Sequence, residues 1–380
     1  MTHAVIVGAG VFGTWTAHHL HAAGHRVTLI DAYGPGHSRS SSGDESRIIR
    51  CGYGPDEVYS RLALRSLELW REFTASADHN QPLLHECGVL WLASGEDPYT
   101  QATRRTLESG PYSVRVLDRV ELRTRYPHLV ADDINMALLE PECGVVMARR
   151  AVRTLAADAI ARGVRLVRAH VAVPSTGGPL HSVRIADGSE IGGDLFVFAC
   201  GAWLPKVFPE LDDVIRATRQ VVIYFGTPAG DDRFGPAYTP AWVDFPAGIY
   251  GVPDLEGRGL KVGIDHHGPP IDPDHGDRTL DEDSLRIARA WLARRFPALA
   301  GAPIVESRVC QYENTSTGDF LIDRHPDHAN VFIVGGGSGH GFKHAPAVGE
   351  YVARLVSTGA PVDERFSLAA KTTTRRRAVY

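Results

Sequence analysis

The sequence predicts an α/β chain whose first part is a Rossmann-like dinucleotide-binding domain. Three observations carry that expectation. Residues Ala4–Val7 form a short apolar run, Gly8-Ala9-Gly10-Val11-Phe12-Gly13 follows at once, and the next apolar run ends on an acid, Asp31. A buried parallel strand reads as such a run, and G-x-G-x-x-G between a strand and a helix marks a βαβ unit that holds a pyrophosphate.

Each element has its own reason. Gly8 permits the tight turn, Gly10 lets the backbone approach a phosphate, and Gly13 lets the helix lie close on the strand. Val11 and Phe12 open a helix expected over residues 11–23 and closed by Gly24, and its N-terminus favours negative charge. A second strand, Arg26–Ile30, delivers Asp31 to ribose hydroxyls. A βα turn without a ligand is the bland alternative. Tyr59–Phe73 reads as an amphipathic helix with Leu62, Leu69, Trp70 and Phe73 as core. Asp194–Ala199 reads as a third strand, running into Cys200-Gly201-Ala202-Trp203. Arg219–Phe225 and Gly259–Ile264 read as strands, and the turn-rich stretches Pro228–Asp232 and Pro269–Asp277 flank them. Asn330–Val334 is a strand leading into Gly335-Gly336-Gly337-Ser338-Gly339-His340-Gly341, with a helix to about Val356.

The first glycine motif does not separate NAD from FAD. The second cluster does more: it presents bare backbone N–H groups and a positive helix end to something anionic. The N1–O2 edge of a reduced flavin suits that description, so FAD is the expected cofactor. A loop that merely turns the chain is the competing reading.

Length and composition set the frame. A chain of 380 residues is expected to form two domains. A net charge of −5 with mixed signs excludes a nucleic-acid footprint. The longest apolar runs, such as Leu195–Ala199 and Val331–Val334, are too short to cross a bilayer. The N-terminus enters a strand with no signal-like segment, and Cys51, Cys87, Cys143, Cys200 and Cys310 are scattered without C-x-x-C spacing. These features point to a cytoplasmic protein with reduced thiols, no membrane partner and no expected metal. The Arg375-Arg376-Arg377 tail reads as a solvated end.

Five stretches together resemble the monomeric sarcosine oxidase family and its relatives, the N-methyltryptophan and pipecolate oxidases. They are Gly8–Gly13, Ser42-Gly43-Asp44-Glu45-Ser46-Arg47-Ile48-Ile49-Arg50, Gly259–Gly263, Val309-Cys310-Gln311-Tyr312, and Gly337-Ser338-Gly339-His340-Gly341-Phe342-Lys343. The last two are the specific ones. The resemblance implies a discontinuous FAD-binding domain with an inserted α+β catalytic domain carrying a mixed β-sheet. The expected division is 1–80, 145–215 and 310–370 for FAD, 81–144 and 216–309 for substrate, and a flexible tail at 371–380. It also implies a monomer that oxidises a secondary amine or N-methyl amino acid, sends a hydride to flavin N5, and returns the electrons to O2 as hydrogen peroxide.

The resemblance assigns roles residue by residue. Cys310 matches the cysteine that carries a thioether to the flavin; otherwise it is a small buried hydrophobe. Arg50 and Lys343 match a clamp on the substrate carboxylate, where a fork-shaped guanidinium pairs two oxygens and a lysine adds a point charge. Arg47 matches an arginine beside the flavin ring. Lys261 matches a lysine that activates oxygen, although a lysine in an alternating strand is often a solvated one. Tyr250 and Tyr312 match tyrosines lining the substrate pocket. The cofactor set comprises Gly8, Gly10, Val11, Phe12, Gly13, Asp31, Ser42, Ser46, Arg47, Gly201, Trp203, Cys310, Gly337, Gly339, His340, Gly341, Phe342 and Lys343. Two departures stand out. Asp265, followed by His266, occupies a place where sarcosine oxidase has a substrate-contacting histidine, and Gly43 replaces another histidine near the flavin. Both make sarcosine itself a poor guess and leave the reaction class intact. A flavin enzyme acting on a cyclic imino acid remains the nearer alternative, and a non-oxidase NAD-binding protein the remoter one.

Overall fold

In the computed structural model, which describes residues 1–76, 81–93, 96–174 and 177–374, β1 (His3–Val7) runs through the middle of a six-stranded sheet. The strand order is Leu321–Arg324, Val331–Gly335, Leu195–Phe198, β1, β2 (Arg26–Asp31) and Arg165–Arg168. All pair in parallel except the first strand, which runs antiparallel to its neighbour. Ala4, Val5 and Ile6 are fully buried because layers cover both faces, as a parallel sheet requires.

One covering layer is α1 (Val11–Ala22) with the helix Ala345–Thr358. Gly349 lets these helices touch: a Cβ there would come within 2.6 Å of the Trp15 carbonyl carbon. The long helix Glu57–Ser76 adds Leu69, Trp70 and Phe73 to the same core, while Leu62 is only half-buried.

A second, eight-stranded mixed sheet carries the rest. Its order is Ile304–Thr315, Ile215–Phe225, Leu260–Ile264, Ile249–Val252, Ala241–Asp244, Val89–Ala93, Met136–Glu140 and Arg115–Leu117. The pairing of Ala241–Asp244 with Val89–Ala93 is parallel and the others are antiparallel. Leu260, Lys261 and Val262 are all buried. This strand is therefore covered on both faces, and its alternation does not mark a solvent side. A small sheet of Arg47–Ile49, Gly144–Val146 and Leu84–His85 sets the start of the segment bearing Arg50. Among the described residues no helix is long and apolar enough to cross a membrane. The Arg375–Arg377 tail lies outside the described residues.

Candidate active site

The sheets meet around a cavity of about 490 Å³. At one end the first glycine motif behaves as its spacing suggests. Gly8 has φ +105°, and a Cβ there would lie 2.3 Å from Ala199 O. At Gly13 a Cβ would fall 1.8 Å from Gly8 O, so only glycine allows α1 to sit against β1. Gly10 is different: a Cβ there would meet only Ser42 Oγ, at 3.5 Å, so its backbone is open to an occupant. Ser42 Oγ takes the Val11 N–H at 3.1 Å. The Asp31 carboxylate accepts N–H groups of Ala9, Tyr33 and Gly34 at 2.7, 2.9 and 2.6 Å, which holds it rigidly at the cavity rim. Gly8, Gly10, Val11, Phe12, Asp31, Ser42, Arg47, Gly201, Trp203, Gly337, Gly339, Gly341 and Phe342 all line this space. Gly13 stands behind it as a packing residue.

Behind Arg47, which lines the cavity, is a buried charge cluster. Lys261 Nζ donates to Asp44 Oδ2 at 2.6 Å and to Ser46 O at 2.8 Å. Arg47 also pairs with Asp44 Oδ2, and Tyr224 donates to Asp44 Oδ1 at 2.9 Å. Burial alone would push Asp44 up, but Lys261 and Arg47 outweigh it and hold the carboxylate well below its usual range. Burial pulls Lys261 down despite that partner. Lys261 and Arg47 together outnumber Asp44, and Arg308 approaches its Oδ1 at 3.9 Å while pairing with Glu45 and Glu306. Cys310 is buried just behind the cavity lining, its Sγ 3.5 Å from Arg47 Nη2 and 3.9 Å from Ser41 O, both residues of that lining. The glycine at position 43 has a local cause, since a Cβ there would come within 2.0 Å of His37 O.

The third part lies beside the second glycine cluster. Arg50 is buried between the faces of Tyr53 and Trp91, its guanidinium carbon 4.7 and 4.6 Å from their ring centres. It also donates to Gly52 O. Lys343 is buried too, and its Nζ donates to Tyr53 OH at 3.0 Å and to His340 O at 3.2 Å. Asp265 is half-buried and accepts from Tyr312 OH at 2.9 Å. Burial pushes its carboxyl up to about 6, with Tyr312, Arg50 and Lys343 pulling the other way. Burial also pushes both tyrosine hydroxyls, Tyr250 and Tyr312, above their ordinary values. Glycines make room for these rings: a Cβ at Gly263 would come within 2.3 Å of Tyr250, and one at Gly339 within 2.7 Å of Tyr312. His266 is exposed, so the carboxylate is the member of the Asp265–His266 pair that meets Tyr312. His340 turns away from the cavity, towards Tyr53 OH at 3.4 Å and Gly318 O at 3.0 Å.

The family profile described as DAO, FAD dependent oxidoreductase, matches residues 3–355. The chain belongs to this family. It is 34% identical to a monomeric sarcosine oxidase of Bacillus sp. (strain B-0618), a match covering 93% of this chain and 92% of that one. It is 31% identical to a peroxisomal sarcosine oxidase of Homo sapiens (93% and 91% covered) and 29% identical to an N-methyl-L-tryptophan oxidase of Salmonella heidelberg (92% and 93%). Among solved structures, an L-proline dehydrogenase from P. horikoshii superposes with a TM-score of 0.86 at 23% identity, covering 99% of both chains. That likeness speaks for the fold.

The cavity of this FAD-dependent oxidoreductase fits its cofactor. The open backbone at Gly10, the fixed Asp31 carboxylate and the cavity-lining Gly337, Gly339 and Gly341 are what a dinucleotide and a flavin ring need. Several participants escaped the sequence reading. Asp44 neutralises Lys261 across 217 positions, and Glu140 accepts N–H groups of Cys51, Gly52 and Trp91 at 2.6, 3.3 and 2.8 Å, fixing the chain around Arg50. Glu140 also forms a cluster with Cys51 and Cys143, but its oxygens are committed to those N–H donors. Trp203 is tied to Asp274 at 2.7 Å, which brings the 269–277 stretch to the cavity mouth. Asp44 lay in plain view beside Arg47, and charge alone was the available signal.

Proposed function

We propose that this oxidoreductase oxidises the CH–NH bond of a small secondary amine or N-methyl amino acid. The observation that carries the reading is the pair of buried cations, Arg50 and Lys343, beside a half-buried carboxyl on Asp265. An amino acid zwitterion matches that charge pattern: its carboxylate meets the cations and its ammonium meets Asp265. Asp265 takes the ammonium proton, and the freed lone pair then forms the C=N bond as a hydride leaves carbon. FAD, when bound, supplies the two-electron acceptor. Water hydrolyses the iminium to a carbonyl compound and an amine. Tyr250 and Tyr312 close the sides of the site and exclude water.

The finer features belong to the same reading. Cys310 holds the flavin through a thioether, dioxygen is the final acceptor and leaves as hydrogen peroxide, and the enzyme is a cytoplasmic monomer. The FAD domain comprises 1–80, 145–215 and 310–370, with 81–144 and 216–309 serving the substrate. The positive charge of Lys261 and Arg47 supports oxygen reduction, because it stabilises a developing superoxide. The Asp44–Lys261 pair favours a second reading, a dehydrogenase of a cyclic imino acid, since it offsets the charge that oxygen would use.

The test is anaerobic titration of the yellow protein with a panel of N-methyl and cyclic amino acids. Bleaching of the flavin by one of them is expected, followed by oxygen uptake on admission of air. The variants Arg50→Met and Lys343→Met should each lower kcat/KM by about 100-fold, the loss of roughly 3 kcal/mol for a charge-assisted contact. No bleaching by any carboxylate-bearing amine overturns the substrate class. Bleaching without oxygen uptake favours the dehydrogenase.

A further inference from the structure

Glu313 lies in the strand Ile304–Thr315 and lines the cavity. Its side chain is wedged between two glycines that also line it. A Cβ on Gly201 would sit 2.8 Å from Glu313 Oε2, and one on Gly337 would sit 3.0 Å from Oε1. Oε1 accepts the Gly337 N–H at 3.2 Å. Oε2 is buried and has no hydrogen-bond partner among the described residues.

This is an unusual position for a carboxyl. The residue is 8% exposed, and among the described residues no salt bridge reaches it. A buried carboxylate without a counter-charge is strongly disfavoured, so the group holds its proton to higher pH than an exposed carboxyl does. Burial pushes it up to about 7, and the single Gly337 N–H offsets this only in part. The surrounding elements bring little charge. The paired strand presents Ala217 opposite it, the glycine loop presents Gly337, and the turn after Leu195–Phe198 presents Cys200. Burial pushes the Cys200 thiol far above its usual value, so that neighbour stays neutral.

A protonated carboxyl has an O–H to give, and the described residues offer Oε2 no acceptor. The acceptor has to come from whatever fills the cavity. We infer that Glu313 is a flavin-binding residue that holds a proton and donates it as a hydrogen bond to an acceptor atom of the FAD ring system facing the Gly337–Gly341 loop. This rests on FAD as cofactor and not on the substrate class. Its consequence is electrochemical. A donated hydrogen bond favours electron density arriving on the ring, and an ionised carboxylate at the same place opposes it. The flavin in this chain therefore becomes harder to reduce as Glu313 loses its proton.

The experiment uses the flavin-loaded protein without substrate. The midpoint potential and the oxidised absorption spectrum are recorded against pH for the wild type, Glu313→Gln and Glu313→Leu. In the wild type the potential should fall more steeply above about pH 7, by one extra proton per electron pair, with a spectral shift at the same pH. Glu313→Gln, which donates but cannot titrate, should lose both inflections. Glu313→Leu should lose them and also show a lower potential than Glu313→Gln near neutral pH. An infrared redox-difference spectrum of the wild type alone should show a protonated-carboxyl band that shifts on reduction, which covers the case of a variant that fails to fold. An inflection that persists in Glu313→Gln, or a wild type with neither inflection nor carboxyl band, overturns the inference.

Discussion

At Asp265, behind the cavity-lining Tyr312, a carboxyl gives up much of its hydration and receives one hydrogen bond from that tyrosine in return. Arg50 and Lys343 soften the loss without cancelling it. The sign of the consequence follows from comparing states. Below the ordinary value of 3.8 the group is protonated whether the chain is folded or not, and it has no effect on stability. As pH rises from there to about 6, the unfolded chain ionises first and the folded one is held back. Stability therefore falls across that window and stays lowered above it. The variant Asp265→Asn should match the wild type in melting temperature at about pH 4 and exceed it at about pH 8. A wild type that is the more stable of the two at alkaline pH would show that Asp265 is ionised in the fold and paired more strongly than its surroundings suggest. The same variant should weaken binding of an ammonium-bearing substrate, so the stability and binding effects run in opposite directions, a common trade at functional sites.

The join between β1 and α1 depends on a contact with no slack. At Gly13 any side chain would drive its Cβ into Gly8 O, and backbone on both sides prevents a cheap adjustment. Gly13→Val should therefore lift α1 off the sheet, destabilise the fold by about 3 kcal/mol, and yield protein with little bound flavin. Flavin content and denaturant unfolding of the purified variant check both effects; normal flavin loading would show that α1 tolerates displacement. This junction was legible in the sequence because it is local: strand, glycines, helix and acid fall within the span Ala4–Asp31. The strands before both glycine clusters were legible for the same reason, with edges differing by a residue or so. The last helix starts later than its glycines suggest, at Ala345, because Phe342–His344 first forms a 3-10 turn. Lys261 was legible as an inward residue only through the resemblance, since its strand is buried on both faces and alternation carried no information. Asp44 on Lys261, Glu140 behind Arg50 and the unpartnered oxygen of Glu313 were not legible at all. Each depends on a contact between distant parts of the chain, or on the lack of one, and no local pattern encodes that.

The cavity gathers residues from Val7 to Phe342, so its occupant touches both large sheets and ties together segments that are far apart in sequence. A ligand bound that way belongs to the folded state alone, and it must stabilise the whole molecule by mass action. The thioether proposed at Cys310 would decide how that stabilisation appears. A thioether makes the flavin part of the chain, and the stability of the wild type then cannot depend on the FAD concentration. Removing the sulfur restores an ordinary equilibrium. Cys310→Ala should accordingly bind FAD reversibly, and its stability should rise with added FAD by about 2.7 kcal/mol at a hundredfold excess over Kd. The wild type should retain flavin through acid precipitation and show no such rise. Thermal melts of both proteins across an FAD series, with intact mass of the denatured wild type, read the two cases directly. A wild type that releases its flavin in acid and responds to added FAD as the variant does would reduce Cys310 to a packing residue. The cavity, the glycine loops and the flavin assignment would stand unchanged, because none of them depends on the sulfur.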